Sequence, residues 1–356
     1  MIRWHLYVLN NMKSAGSRII SWFGPHILPI GFFFILFSCN KDNENFRPLI
    51  YNPIVSDSTG NIPSSWPLPS IREIISGSAQ NYSIMFRMIR KAGLDSFLQK
   101  QGPLTFFAVP DWIYENQGIT FDDISALSDD SVRKIVLYQM VKGSLTYERL
   151  SMNPNSIVPL ISLAGDTIFA IRSYMNGTAM TWEDIPASNG IFHKMSGLMI
   201  IPSGNILQYI ESDTGFSFLA AAIHATRSAR LDISSLISGR DAYTIFAPNN
   251  EAFRVAMYHS PDDFYRLNPD TVANLLSSYI STGRHFVLET WNAFYLTCIN
   301  GTRLIVFGDD PNGPTDPYQF GLSIFSNPDY AKAAFYKLNR TATNGVIHTI
   351  NRLLVP

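Results

Sequence analysis

The chain has 356 residues, room for two ordinary domains or one large one. A 46% hydrophobic and 15% charged composition is that of a globular protein and excludes a disordered or coiled-coil chain. Lysine plus arginine (27) nearly balances aspartate plus glutamate (28), so no basic field favours nucleic acid as a partner.

Arg3, Lys13 and Arg18 precede an uncharged stretch whose densest apolar part runs from Gly31 to Phe37. A basic region followed by a short apolar run is the pattern of an export signal. Met12, followed by Lys13, makes a more usual start than Met1, and the choice between them stays open. A retained membrane anchor is the alternative, but Pro25 and Pro29 interrupt the helix and the apolar run falls short of the ~20 residues a span needs. Leu36-Phe37-Ser38-Cys39 resembles a bacterial lipobox, with phenylalanine where a small residue is usual. In that motif the signal is cut before a cysteine that then carries lipid. Asn40 to Glu44 resembles the acidic tract after the lipidated cysteine in surface lipoproteins of the Bacteroides group. The resemblance implies a signal over 1–38, lipid on Cys39, the membrane as a partner, and a lipid-anchored place in the outer membrane, facing outward. Losing three basic leader residues leaves the mature part mildly acidic. Cys39 and Cys298 are the only cysteines, so no disulfide framework is available, and Cys298 reads as a small buried hydrophobe. Residues 39–69, with Pro48, Pro53, Pro63, Pro67 and Pro69, read as an extended tether.

The rest of the chain repeats itself. Leu104-Thr105-Phe106-Phe107-Ala108 recurs as Tyr243-Thr244-Ile245-Phe246-Ala247, each a short strand ending near a proline, Pro110 or Pro248. Helix starts follow, with Asp111 and Asn250 in the cap position. Helical stretches precede both strands, Ser83 to Ala92 and Phe216 to Ala225. A second helix carries Val132, Ile135, Val136 and Met140 on one face and returns 140 residues later as Val272, Leu275, Leu276 and Ile280 (132 to 272); both copies are expected to stop at glycine, Gly143 and Gly283. Asn189-Gly190-Ile191-Phe192-His193 returns as Asn344-Gly345-Val346-Ile347-His348. Asn-Gly between extended runs predicts a tight hairpin made by residues that tolerate positive φ. The period of two then puts His193 and His348 among inward-facing apolar neighbours. The spacing has grown to 155 residues (189 to 344), so the second copy holds an insertion of some fifteen residues. Asp309, Asp310, Asn312 and Asp316 mark it as the candidate binding loop.

Three blocks in one order resemble the fasciclin (FAS1) domain family, over roughly 71–202 and 205–356. The pattern matches at Thr105, Thr244 and Pro248, and at the closing Asn189, Gly190, His193 and Asn344, Gly345, His348. The resemblance implies an α+β fold of two tandem domains, 70–203 and 204–356, each a β-wedge of about seven strands with packed helices. It also implies a non-catalytic role in adhesion or protein interaction. The Tyr-His element of animal members reads Tyr138-Gln139 and Ser278-Tyr279, so the adhesion mechanism attached to it is not implied.

No constellation for catalysis stands out. Glycine-flanked serine elbows, phosphate loops and zinc spacings are missing, so neither cofactor nor metal is expected. His193 and His348 read as core histidines with bonded rings. Asp122-Asp123, Asp129-Asp130 and Asp262-Asp263 sit near expected helix starts, where carboxylates favour the dipole. Two other functions stay open. A carbohydrate-binding accessory lipoprotein of an outer-membrane glycan uptake system predicts a row of exposed aromatics, from Tyr174, Trp182, Trp291, Tyr295 and Tyr318. A secreted hydrolase predicts two carboxylates converging in one pocket.

Overall fold

The structure is a computed structural model, and it describes residues 67–152, 156–287, 294–307, 321–324 and 332–354. Those residues form two domains of one plan. Helices α1 (Ile71–Gly77), α2 (Ala79–Lys91) and α3 (Asp95–Lys100) lead into strand β1 (Leu104–Ala108), followed by α4 (Asp111–Asn116), α5 (Phe121–Ala126) and α6 (Asp129–Tyr138). Then come β2 (Met140–Lys142), α7 (Tyr147–Ser151), β3 (Val158–Ile161), β4 (Thr167–Ile171), β5 (Tyr174–Met175), β6 (Thr178–Ala187) and β7 (Gly190–Met195). The second domain repeats the order with α8 (Ile206–Ser212), α9 (Ser217–Ala225), α10 (Ile233–Ser238), β8 (Tyr243–Pro248), α11 (Asn250–Val255), α12 (Pro269–Ser277) and β9 (Ile280–Thr282). It finishes with β10 (Phe294–Thr297), β11 (Arg303–Phe307), β12 (Gly321–Ile324), β13 (Lys332–Ala342) and β14 (Gly345–Ile350).

Each domain has a seven-stranded sheet, ordered β2-β1-β7-β6-β5-β4-β3 and, strand for strand, β9-β8-β14-β13-β12-β11-β10. The expected α+β fold of two wedges is what the chain adopts. β1 and β8 are apolar but for Thr105 and Thr244, as strands covered on both faces are, and every residue in them is buried. Each pairs in parallel with the closing strand of its own domain, with Phe107 opposite His193 and Phe246 opposite His348. Each domain has its own apolar core.

The second repeated helix ends earlier than its apolar face suggested. Met140 and Ile280 lie in β2 and β9, and the helices stop at Tyr138 and Ser277, capped by Gln139 and Ser278 in near-helical conformations. Gly143 (φ +93°) and Gly283 (φ +84°) follow the strands instead, where the chain leaves the sheet through the left-handed region. A short buried strand carries the same apolar signal as one more helical turn, and sequence periodicity cannot separate the two.

Candidate functional site

The repeated motif residues meet at one place in each domain. Ala187 pairs with Gly190 and Ala342 with Gly345, so the tight turns are Ser188-Asn189 and Thr343-Asn344. Neither asparagine has positive φ, which corrects the expected role of the Asn-Gly pair. The asparagine is a clamp. Asn344 Oδ1 accepts from Ile206 N at 2.9 Å, and Nδ2 donates to Ile237 O and Gly239 O, both at 2.8 Å. Asn189 does the same with Ile71 N (2.9 Å), Leu98 O (2.7 Å) and Gln101 O (2.9 Å). Thus one side chain ties the first helix of each domain to the loop before its central strand. Glycine follows because a Cβ at 190 or 345 would run into the carbonyl of Leu104 or Tyr243 on the parallel neighbour.

The threonines and histidines lock the other side. Thr105 Oγ1 donates to Gly143 O (2.7 Å) and accepts from Leu145 N (2.8 Å); Thr244 Oγ1 donates to Gly283 O (2.9 Å) and accepts from His285 N (2.8 Å). His193 and His348 are fully buried. Nδ1 of His193 accepts from Asp184 N and that of His348 from Asn339 N, both at 3.2 Å. The proton therefore sits on Nε2, which donates to Leu145 O (2.9 Å) and His285 O (2.8 Å). Asp184 (φ +56°) and Asn339 (φ +58°) are the left-handed residues that turn an amide toward each ring. Burial holds His193 below its ordinary pKa and takes His348 down to about 4, so both are neutral scaffold groups at pH 7. Phe107 and Phe246 stack on the rings at 5.5 and 5.4 Å.

The two domains share a small apolar cluster of Ile171, Tyr174, Phe286 and Val346. Beside it Arg284 crosses the junction. Its guanidinium lies 4.1 Å above the Phe169 ring and donates to Ala342 O (3.1 Å), Thr343 O (2.7 Å) and Gly345 O (2.7 Å). Its desolvation is severe enough to pull its pKa down to about 10. Asn339 Nδ2 donates to Val287 O at 2.7 Å and reaches across to Gly177 O at 3.3 Å. Two cavities open next to this seam, one of 310 Å³ and one of 280 Å³, and Arg340 and Thr341 line both.

A model of the fasciclin domain matches residues 80–202 and again 215–356. The chain belongs to the fasciclin domain family. It is 29% identical over 203 residues to transforming growth factor-beta-induced protein ig-h3 of Sus scrofa, covering 55% of this chain and 27% of that protein. It is 23% identical over 301 residues to the Oryctolagus cuniculus protein of the same name, covering 83% and 40%. It is 25% identical over 186 residues to Stabilin-2 of Mus musculus, covering 48% and 7%. The chain thus spans well under half the length of these relatives. Among solved structures it resembles a FAS1 domain pair from the insect cell adhesion molecule fasciclin I, at 16% identity and a TM-score of 0.35, covering 76% of this chain and 95% of that one.

Asp111 and Asn250 do not cap the helices they begin. Asn249 caps α11 by accepting from Ala252 N, while Asn250 Oδ1 accepts from Phe218 N (3.2 Å) at the start of α9. Asp111 accepts from Ser83 N (2.7 Å) and Ile84 N (2.9 Å), where α2 kinks at Tyr82. Each reaches sideways to a neighbouring helix, a tertiary contact that no local pattern reveals. Tyr138 and Tyr279 are buried, and the Tyr279 hydroxyl bridges both backbone groups of Leu354 (2.8 and 2.7 Å). Pro248 is buried at the end of β8. Cys298 is buried with Sγ donating to Ser278 O at 3.0 Å, and burial pushes its thiol up to about 12.

The three acidic pairs stand in first turns, Asp123 and Asp263 each completing a capping box. Asp213 and Glu251 line one further cleft, but Asp213 accepts from Gly215 N and Glu251 pairs with Arg254. Tyr174 is buried in the junction, so it cannot join an exposed aromatic row; Tyr295 is exposed. Trp291 and Tyr318, like Cys39, Asp309, Asp310, Asn312 and Asp316, lie outside the described residues. Among the described residues no three His, Cys, Asp or Glu side chains are grouped to hold a metal, and no helix is long and apolar enough to cross a membrane.

Proposed function

We propose that the chain is a non-catalytic cell-envelope lipoprotein whose two fasciclin domains mediate adhesion or protein interaction at a bacterial surface. The observation that carries this reading is the use of the family motif. Thr105, Asn189, His193 and their counterparts Thr244, Asn344 and His348 are all consumed in bonds that hold the scaffold together. Motif residues spent on the scaffold leave binding to other parts of each domain, which suits a binding module better than a motif-built reaction centre. Membership in the fasciclin domain family supports extending the adhesion role expected of that family here. The lipobox-like Leu36 to Cys39 supplies the anchor, and residues 39–69 lift the domains from the lipid.

Two measurements test this. The Cys39→Ala chain, expressed in a Bacteroides-type host, should leave the membrane fraction or remain uncleaved; unchanged membrane partition removes the lipid assignment. Cross-linking on intact cells carrying the full chain should capture a surface protein that a folded, unanchored chain also binds in solution. Capture of no partner by either form removes the adhesion reading.

A further inference from the structure

The strongest unclaimed feature is the double cavity on either side of Arg340. Among the described residues its guanidinium donates no hydrogen bond and meets no carboxylate, whereas its neighbours Asn339 and Arg284 are both bonded. It is held by the ring of Tyr209 at 4.9 Å, and that ring packs in turn against Phe216 at 6.2 Å. A cation–π contact holds the guanidinium beside the ring while leaving its N–H donors for another partner.

The walls complete the chemistry. Among the described residues neither cavity has an aspartate or glutamate in its lining, and Arg340 is the charged residue common to both. Hydroxyls and amides share the walls with apolar side chains: Thr178, Ser196 and Asn176 beside Leu198 and Leu338 in the larger cavity, Ser203, Gln208 and Ser212 in the smaller. A cation with no counter-ion among the described residues, facing two recesses of mixed polar and apolar lining, suits an anion that also carries hydroxyls and an apolar face. The position also explains why a repeat protein would have the site once. Arg340 comes from the second domain, whereas Thr178 and Ser196 come from the first, so the recess exists only where the domains meet.

We infer that this junction binds an acidic saccharide, its carboxylate taken by the Arg340 fork and its ring hydroxyls by the serine and threonine side chains around it. The assignment stands apart from the adhesion reading, since a protein partner can dock on faces remote from the seam.

The test uses the full chain titrated calorimetrically with a galacturonic acid trimer, a neutral galactose trimer and a glutamate tripeptide. The acidic trimer should bind and weaken with salt, and the neutral trimer should not bind. Arg340→Gln should weaken binding by about tenfold or more, with Arg340→Lys intermediate because it keeps charge but loses the fork. Ser196→Leu, which fills one recess without touching the arginine, should also weaken it, and thermal melting of each variant checks that the fold persists. No binding of the acidic trimer, equal binding by Arg340→Gln, or a tripeptide that binds as well as the sugar would each overturn the inference.

Discussion

Asn344→Ala is the substitution that asks most directly what the repeated Asn-Gly does. The side chain satisfies three backbone groups, Ile206 N at 2.9 Å and the carbonyls of Ile237 and Gly239 at 2.8 Å. Three hydrogen bonds at about 1 kcal/mol net each, with a buried amide left bare, put the loss near 3 kcal/mol. Urea unfolding at pH 7 reads it as a shift in midpoint with the slope unchanged. Asn344→Gly discriminates between the two roles. If asparagine were there for turn conformation, glycine would retain stability; a clamp predicts that glycine loses at least as much as alanine. Asn189→Ala removes the same three contacts from the first domain and should cost a similar amount. A loss below about 1 kcal/mol, or rescue by glycine, would refute the clamp.

Further outcomes follow from the same geometry. Arg284→Met should loosen the seam by about 2 kcal/mol or more, because three carbonyls and the Phe169 face lose a cation; separate melting of the two domains by calorimetry is the expected sign, and unaltered melting counts against the seam. His348 is held to about 4, whereas an exposed histidine titrates near ~6.5, so between those values the unfolded chain binds the extra proton. The stability from its neutral burial is complete above that range and is lost as pH falls through it, by about 3 kcal/mol in all. Urea midpoints across that window should fall more steeply for the native chain than for His348→Gln, and parallel slopes would remove the assignment. Met257 (φ +66°) occupies the place where the first domain has Gly118 (φ +68°), and its side chain is exposed. Met257→Gly should therefore stabilise by up to about 1 kcal/mol, seen as a higher melting temperature; a lower one contradicts it.

The sequence disclosed the architecture because its repeat is written in residues with no freedom. Thr105, Asn189 and His193 recur in register because each bonds to backbone groups that any member of the fold must present. Their burial and partners were less accessible. Asn-Gly is a common turn pair, and nothing local says that this asparagine reaches Ile71 from 118 residues away. Asp111 and Asn250 looked like caps because they stand one residue from a helix start, and they are caps, but of a different helix. The junction was invisible. Arg284 lies where the first copy has Ser144, so comparing the copies isolates it as a change, yet only packing shows that the change faces the other domain.

The parallel pairing of β1 with β7 has a consequence for assembly. The middle of the sheet is made from segments near opposite ends of the domain, with the asparagine clamp bridging the same interval. While the chain emerges from a ribosome, Leu104–Ala108 has no neighbour on one side until Gly190–Met195 arrives. Helices can form early, but the central strand must be kept from wrong partners during that wait. A strand of four apolar residues and one threonine, all buried in the fold, is an aggregation hazard when exposed that long. Shielding of that strand during synthesis, as much as native stability, then decides how much folded protein accumulates.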